Sequence, residues 1–390
     1  MVTLLLALAA LAAWLWLIAF NGGFWRLTER DSRFAPQGAQ APAEASVTAV
    51  IPARDETDVI ARSVSSLLRQ RFPGRLDIVL VDDASDDGTG EAARAAATLL
   101  DAGDRLEVLR KEALAAGWTG KLAAMNHGFE HVRSRPQQPD FILFCDADIE
   151  FGKDVVARLV AGSLARNTVL ASLMVKLRCE SFAERWFVPA FVFFFQMLYP
   201  FRQVNDPRRR MAAAAGGVML VRPQALADAG GLVAIRDALI DDCALGALMK
   251  TQGPIWLGLT DEVFSLRAYP HVADIEKMVS RSAYAQLGYS PLRLVGAVLG
   301  MVVVYLAPPL VALFGESPAR EAALVAYLIM IQSYMPSLRF YGLARGRALA
   351  LPLVAACYTW FTILSAYRHM TGRGGAWKGR YQAPANGRLG

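Results

Sequence analysis

The chain has 390 residues, of which 54% are hydrophobic and only 19% charged, and its formal net charge is +6. That composition is too apolar for an average soluble domain. The basic surplus flanks apolar segments and is not interleaved with aromatics, so it suits anionic lipid headgroups and excludes nucleic acid as the expected partner. Cys145, Cys179, Cys243 and Cys357 are scattered, with neither metal-site spacing nor a disulfide framework.

Residues 2–20 carry no charge and, at about 1.5 Å per residue, match a bilayer core of about 30 Å. The stretch lacks a basic leading region and is long for the apolar part of a signal peptide, so 1–21 is expected to be a transmembrane anchor. Residues 22–46, polar and Pro-containing over 35–46, are expected to be a juxtamembrane linker to a globular domain over 47–270.

In that domain strand-like runs (Val47–Ile51, Ile78–Val81, Leu106–Leu109, Phe141–Phe144) alternate with helix-length stretches (57–71, 89–101, 120–132). The alternation predicts right-handed βαβ units, an α/β fold with a mixed, mainly parallel sheet and flanking helices. The order loosens after residue 150. The aromatic stretch 182–201 is expected to be interfacial or membrane-facing, the alternative being a helix buried against the sheet. Residues 271–291 have roughly helical periodicity, as expected of an amphipathic helix on the membrane surface.

A C-terminal transmembrane region is expected over 292–368, with three apolar segments (Leu292–Phe314, Ala322–Leu338, Leu349–Tyr367), followed by a basic tail over 369–390. Arg26, Arg30 and Arg33 follow the first span, and Arg339, Arg345 and Arg347 lie between the last two segments. The positive-inside rule then predicts a multi-pass protein of the inner (cytoplasmic) membrane with its globular domain in the cytoplasm. If all three C-terminal segments cross, the tail with Arg368, Arg373, Lys378 and Arg380 ends on the opposite side, against the rule. A break at Pro308-Pro309 would restore parity.

The chemistry-bearing residues sit where strands end. Phe141–Asp148 reads FILFCDAD, a buried-strand pattern closing in two carboxylates. Ligands of open α/β sheets bind beyond such ends, and desolvated charge there needs a partner. A divalent cation shared with a nucleotide diphosphate would meet that need, because Mg²⁺ and Mn²⁺ take one or two carboxylates plus phosphate oxygens; an acidic turn is the alternative. Strand one runs into Pro52, Arg54 and Glu56, strand two into Asp82 and Asp83, and Asp241-Asp242 opens a helix-like run, where helix capping is an alternative role. Two metal motifs are rejected. A calcium loop through Asp83, Ser85 and Asp87 would end on Arg94 in place of its acid. His127 to His131 matches a zinc-protease pattern but contains Gly128 within the helix it needs.

VIPARDE at 50–56, DDASDDGT at 82–89, GKLAAMNHG at 120–128, DAD at 146–148 and DD at 241–242 together resemble the family 2 glycosyltransferases with the GT-A fold. With the anchor, the C-terminal segments and the ending GRGGAWKGRY at 372–381, the chain looks most like the membrane-bound branch of hopanoid (hopene)-biosynthesis-associated and ceramide glucosyltransferases. The resemblance implies a nucleotide-sugar donor, a UDP-sugar by family likeness, and a membrane lipid acceptor. It implies that Pro52, Arg54, Glu56, Asp82 and Asp83 serve the nucleoside, with Lys121 near the phosphates. Asp146 would hold ribose or metal-bound water, Asp148 the Mg²⁺ or Mn²⁺, and Asp242, assisted by Asp241, would be the general base. Gly216-Gly217 precedes an apolar run and is an acceptor-side candidate or a turn. Gln286 is the other such candidate, since Gln286-Leu287-Gly288-Tyr289-Ser290 stands where polymerising relatives carry Gln-x-x-Arg-Trp. The missing Arg-Trp speaks for a single transfer; a processive synthase and a silent nucleotide-sugar-binding scaffold are the alternatives. Oligomeric state is not legible.

Overall fold

The computed structural model describes residues 1–111, 114, 116–372, 376–377 and 380–381. Most of the expected basic tail, including Arg373 and Lys378, lies outside the described residues. The chain forms a sheet unit, built chiefly from Glu29–Arg178 and Gln203–Arg267, and a helical unit of Met1–Thr28, Cys179–Arg202 and Ala268–Ala376.

The main sheet of this unit has, among the described residues, eight strands: β1 (Ser46–Ala53), β2 (Arg75–Asp82), β3 (Leu106–Arg110), β4 (Phe141–Cys145), β5 (Ile149–Phe151), β6 (Leu170–Lys176), β7 (Val218–Val221) and β8 (Ile255–Ser265). Their order across the sheet is β3-β2-β1-β4-β7-β6-β8-β5. The first four are parallel, as the alternation predicts. β7 runs antiparallel between β4 and β6, while β6 and β8 are parallel. Register then sets the site. Ala53 pairs with Asp82, and Cys145 pairs with Val218 at the start of β7. Ile149, just after Asp148, pairs with Ser265 at the end of β8. The chemistry-bearing turns therefore share one edge.

Helices cover the sheet because their apolar spacing demands it. In Thr57–Leu68, Ile60, Val64 and Leu67 fall on one face and are fully buried. Gly128 lets the helix Gly120–Arg133 lie directly on β1 and β2, since a Cβ there would stand 2.5 Å from Val50 Cγ1 and 3.0 Å from Val81 Cγ2. The expected linker needs correction: its 29–34 portion is a packed strap. Glu29 O accepts from Leu259 N–H at 2.9 Å, and Phe34 stacks on Trp256 with centroids 4.1 Å apart. Asp31 is buried there; burial raises its pKa, against bonds from the Thr260 hydroxyl and the charge of Arg158.

In the helical unit, three helices among the described residues are long and apolar enough to cross a membrane: Val2–Phe20, Pro291–Phe314 and Arg345–Met370. The middle C-terminal segment folds as one helix, Ala319–Phe340, that Gln332, Ser333 and Ser337 make less apolar. Pro308-Pro309 has a visible effect, a π-helical stretch over Val302–Leu306. Pro308 cannot donate to Val304 O, and the indole N–H of buried Trp14 takes that carbonyl at 2.7 Å.

The aromatic stretch forms the helix Phe182–Leu198. Within its unit Phe187, Phe193 and Phe194 are buried against Tyr358, Tyr334 and Tyr305. The single amphipathic helix expected over 271–291 is two, Val272–Ser280 and Ala283–Gln286. Arg368 pairs bidentately with Glu276 at 2.7 and 3.0 Å, and His369 stacks on Tyr289, centroids 4.3 Å apart. The end of the last helix and the approach to Pro291 thus lie at the same end of the helical unit.

Candidate active site

The site grows from the strand ends of the sheet unit. Beyond β1 and β2 the two turns lace together: the Asp55 amide donates to Ser85 Oγ at 3.0 Å, the Glu56 amide to Thr89 Oγ1 at 2.9 Å, and the Thr57 amide to Asp87 Oδ2 at 3.0 Å. Asp55 and Ala84 take left-handed φ of 50° and 54° to make these turns. Asp87 is thereby spent as a cap. Burial raises its pKa, but its bonds from Thr89 and Thr57 leave it below the ordinary value.

Asp82 is buried and accepts from the Ser85 amide at 2.9 Å. Asp83 is fully buried; Lys111 Nζ lies 3.2 Å from its Oδ1, and Arg54 Nη1 donates to its carbonyl at 2.6 Å. Pro52 is a buried β1 residue opposite Val81. Of the group assigned to the nucleoside, Glu56 and Asp82 thus stand at the strand-end turns, while Arg54 and Asp83 are engaged with each other and with Lys111.

The second cluster centres on Lys121, at the start of the helix over β1. Its Nζ lies 2.8 Å from Asp146 Oδ1 and 3.0 Å from Asp241 Oδ2, the latter without hydrogen-bond alignment. One ammonium thus joins the β4 carboxylates to the acidic pair opening the helix Asp241–Lys250. Burial would lower its pKa, yet Asp146, Asp241 and Asp242 hold it above the ordinary lysine value. Asp146 is itself raised, by burial and then by Asp148, with Lys121 opposing.

Asp242 accepts from Gly216 N–H at 2.9 Å and from Cys243 N–H at 2.7 Å. The second bond is a contact to the next residue within the first helical turn; the N-cap position itself is Ile240, and no side chain caps the helix. Burial, and then the neighbouring Asp241, push its pKa to about 6. Gly216 earns its missing side chain here: a Cβ would stand 3.1 Å from Lys121 Nζ and 3.5 Å from Asp242 Oδ2. At Gly217 a Cβ would stand 2.8 Å from Val175 Cγ1, a packing constraint. Gln286 is not among the residues the sheet unit brings together; it belongs to the helical unit, where its Nε2 donates to Tyr199 Oη at 2.5 Å.

The third cluster surrounds Asp148. Its Oδ2 accepts from Ser265 Oγ and from Arg267 Nε, each at 3.1 Å, and Arg267 Nη2 continues to Glu56 Oε1 at 2.7 Å. Ser265, Arg267 and Lys111 escape sequence reasoning, since single polar residues after a strand carry no motif. The available signal was topological: Ser265 ends β8, Arg267 stands just beyond it, and Lys111 directly follows β3.

Among the described residues no group of three or more His, Cys, Asp or Glu side chains is placed to hold a metal ion by itself. His131 of the rejected zinc pattern pairs with Glu107 at 2.8 Å. Asp148 and Asp146 are hard oxygen donors at one strand end, a set that fits Mg²⁺ or Mn²⁺ when a diphosphate supplies the remaining oxygens.

Residues 48–229, just under half of the chain, match the model of the glycosyl transferase family 2. The chain is 32% identical over 117 residues to 4,4'-diaponeurosporenoate glycosyltransferase of Staphylococcus aureus strain bovine RF122 / ET3-1, covering 30% of this chain and 27% of that protein. The same enzyme of strain USA300 is 32% identical over 116 residues, 29% of this chain and 27% of that one. This chain thus spans about a quarter of the length of the curated relatives it matches. Its fold is similar to that of a mannosyltransferase from Pyrobaculum calidifontis solved with GDP-Man and Mn²⁺, with a TM-score of 0.55, 16% identity, and coverage of 94% of this chain and 99% of that one. Residues 48–229 thus resemble the glycosyl transferase family 2, and the sheet that carries the strand-end carboxylates has a similar fold in the solved mannosyltransferase.

Proposed function

We propose that this protein transfers one sugar from a nucleoside diphosphate sugar, a UDP-sugar on motif likeness, to a lipid acceptor of the membrane. The observation that carries the proposal is the chain of contacts Asp146–Lys121–Asp241 with Asp242 beside it. It sets carboxylates suited to a donor's diphosphate next to a half-buried carboxylate suited to take a proton. In the step itself the acceptor oxygen bonds to the sugar's anomeric carbon and the bond to the diphosphate oxygen breaks. The diphosphate leaves with the electron pair, and the acceptor's proton goes to Asp242. One base and one displacement give inversion at that carbon. Asp148, with Asp146, would hold Mg²⁺ or Mn²⁺, which offsets the charge growing on the leaving diphosphate.

The lipid acceptor is supported by the three helices able to cross a membrane and by a relative named for a lipid-like substrate. Motif resemblance extends the proposal to hopanoid or related glycolipid synthesis. The arginines around the first and last spans support a catalytic domain in the cytoplasm, at the inner membrane.

Calorimetric titration of the detergent-solubilised full chain with UDP and with GDP, with and without Mn²⁺, tests the donor half. Metal-supported binding of one nucleotide is expected, weakened at least about tenfold by Asp148→Ala. Folded protein that binds no nucleoside diphosphate would remove the proposal and leave the silent scaffold.

A further inference from the structure

Arg267 occupies the ground that a bound donor would need. Its guanidinium bonds at once to Asp148, the residue suited to a cation, and to Glu56, a residue suited to the nucleoside. The two acids are fixed. Their side chains are only 9% and 11% exposed, and the backbone at each is tied, Asp148 O to the Leu266 amide and the Glu56 amide to Thr89 Oγ1. The Arg267 side chain is 37% exposed and projects from beyond the end of β8. It is the partner that can move.

We propose that Arg267 holds the place of the divalent cation while the donor site is empty, and passes to the donor's diphosphate when cation and nucleotide bind. This rests on the nucleotide-sugar reading above. A buried carboxylate left without a partner is costly, so a site that fills and empties at every turnover needs a resident counter-charge. A monovalent guanidinium serves, because an incoming divalent cation with its phosphates replaces it at Asp148 with more charge. Once released, the guanidinium has a planar fork matched to phosphate oxygens and a stem long enough to stay at the same edge. Arg267 is thus a positioning residue: it keeps Asp148 and Glu56 aligned in the empty site and supplies diphosphate affinity in the filled one.

The test is a pair of titrations on the solubilised full chain, wild type against Arg267→Ala, each first shown by its thermal melt to be folded. Mn²⁺ alone is followed by the electron paramagnetic resonance of the free ion, and UDP or GDP in saturating Mn²⁺ by calorimetry. The two affinities should move in opposite directions. Arg267→Ala should bind Mn²⁺ alone about tenfold more tightly, because Asp148 is released, and the nucleotide about tenfold more weakly, the scale of one charged hydrogen bond. Arg267→Lys, which keeps the charge but not the fork, should fall between. The gain in Mn²⁺ affinity should vanish in Arg267→Ala/Asp148→Ala. Unchanged or weaker Mn²⁺ binding by Arg267→Ala, or a gain that survives loss of Asp148, overturns the place-holding role. Unchanged nucleotide affinity overturns the diphosphate role. If neither protein binds nucleotide while the Mn²⁺ gain is present, the donor reading fails and the place-holding role stands.

Discussion

Asp242 divides its two oxygens between the amides of Gly216 and Cys243, so its carboxyl is fixed in position while burial keeps it a better base than a surface aspartate. The sign of its pH dependence follows. With a pKa of about 6, the proton-accepting form dominates at pH 7 and is lost below pH 6. Transfer at saturating substrates should therefore fall roughly tenfold per pH unit below that value and be flat just above it. A rate unchanged at pH 5, measured with labelled donor in protein shown to stay folded, would count against Asp242 as the base. Asp82, Asp146 and Asp148 stand in short motifs at strand ends, and Lys121, Asp241 and Asp242 in short motifs at helix starts, which is why the sequence singles them out. Arg267 and Lys111 were not, since what makes them important is a partner carboxylate more than twenty residues away. Within the strand-end turns Arg54 donates to the Asp83 carbonyl and Lys111 pairs with the Asp83 carboxylate.

The parallel half of the sheet was legible because apolar runs and helical stretches alternate at short range. β7 was not, because an antiparallel strand inserted between β4 and β6 depends on pairing set far away in the chain. The helix over β1 and β2 shows how local and global demands conflict. Gly128 weakens it as an isolated helix, yet only glycine permits its contact with Val50 and Val81. Gly128→Ala should cost about 1–3 kcal/mol despite its better propensity, through overpacking. Gly103→Ala, where the added methyl meets nothing within 4 Å, is the control. Equal melting temperatures for the two variants would show that the helix can lift off the sheet at no cost. In the helical unit the prolines predict a break, yet the helix runs on from Pro291 to Phe314 through a π-helical stretch. What sequence could not supply was its remedy, the Trp14 indole on Val304 O, a partner 290 residues away.

The molecule couples a sheet unit bearing the acids to a helical unit with three helices able to cross a bilayer. That division was visible in composition alone, since the apolar excess is concentrated at the two ends of the sequence. Composition cannot say which unit a segment joins: the strap over 29–34 packs in the sheet unit and the aromatic helix Phe182–Leu198 in the helical unit. The central claim, sugar transfer to a membrane lipid with Asp242 as base, is tested most directly by comparing wild type with Asp242→Asn, using labelled nucleotide sugar, bacterial lipid extract and calorimetry of nucleotide binding on the same preparations. The account predicts that Asp242→Asn binds the nucleotide within about twofold of wild type and loses transfer by at least about a hundredfold; transfer at the wild-type rate would contradict it.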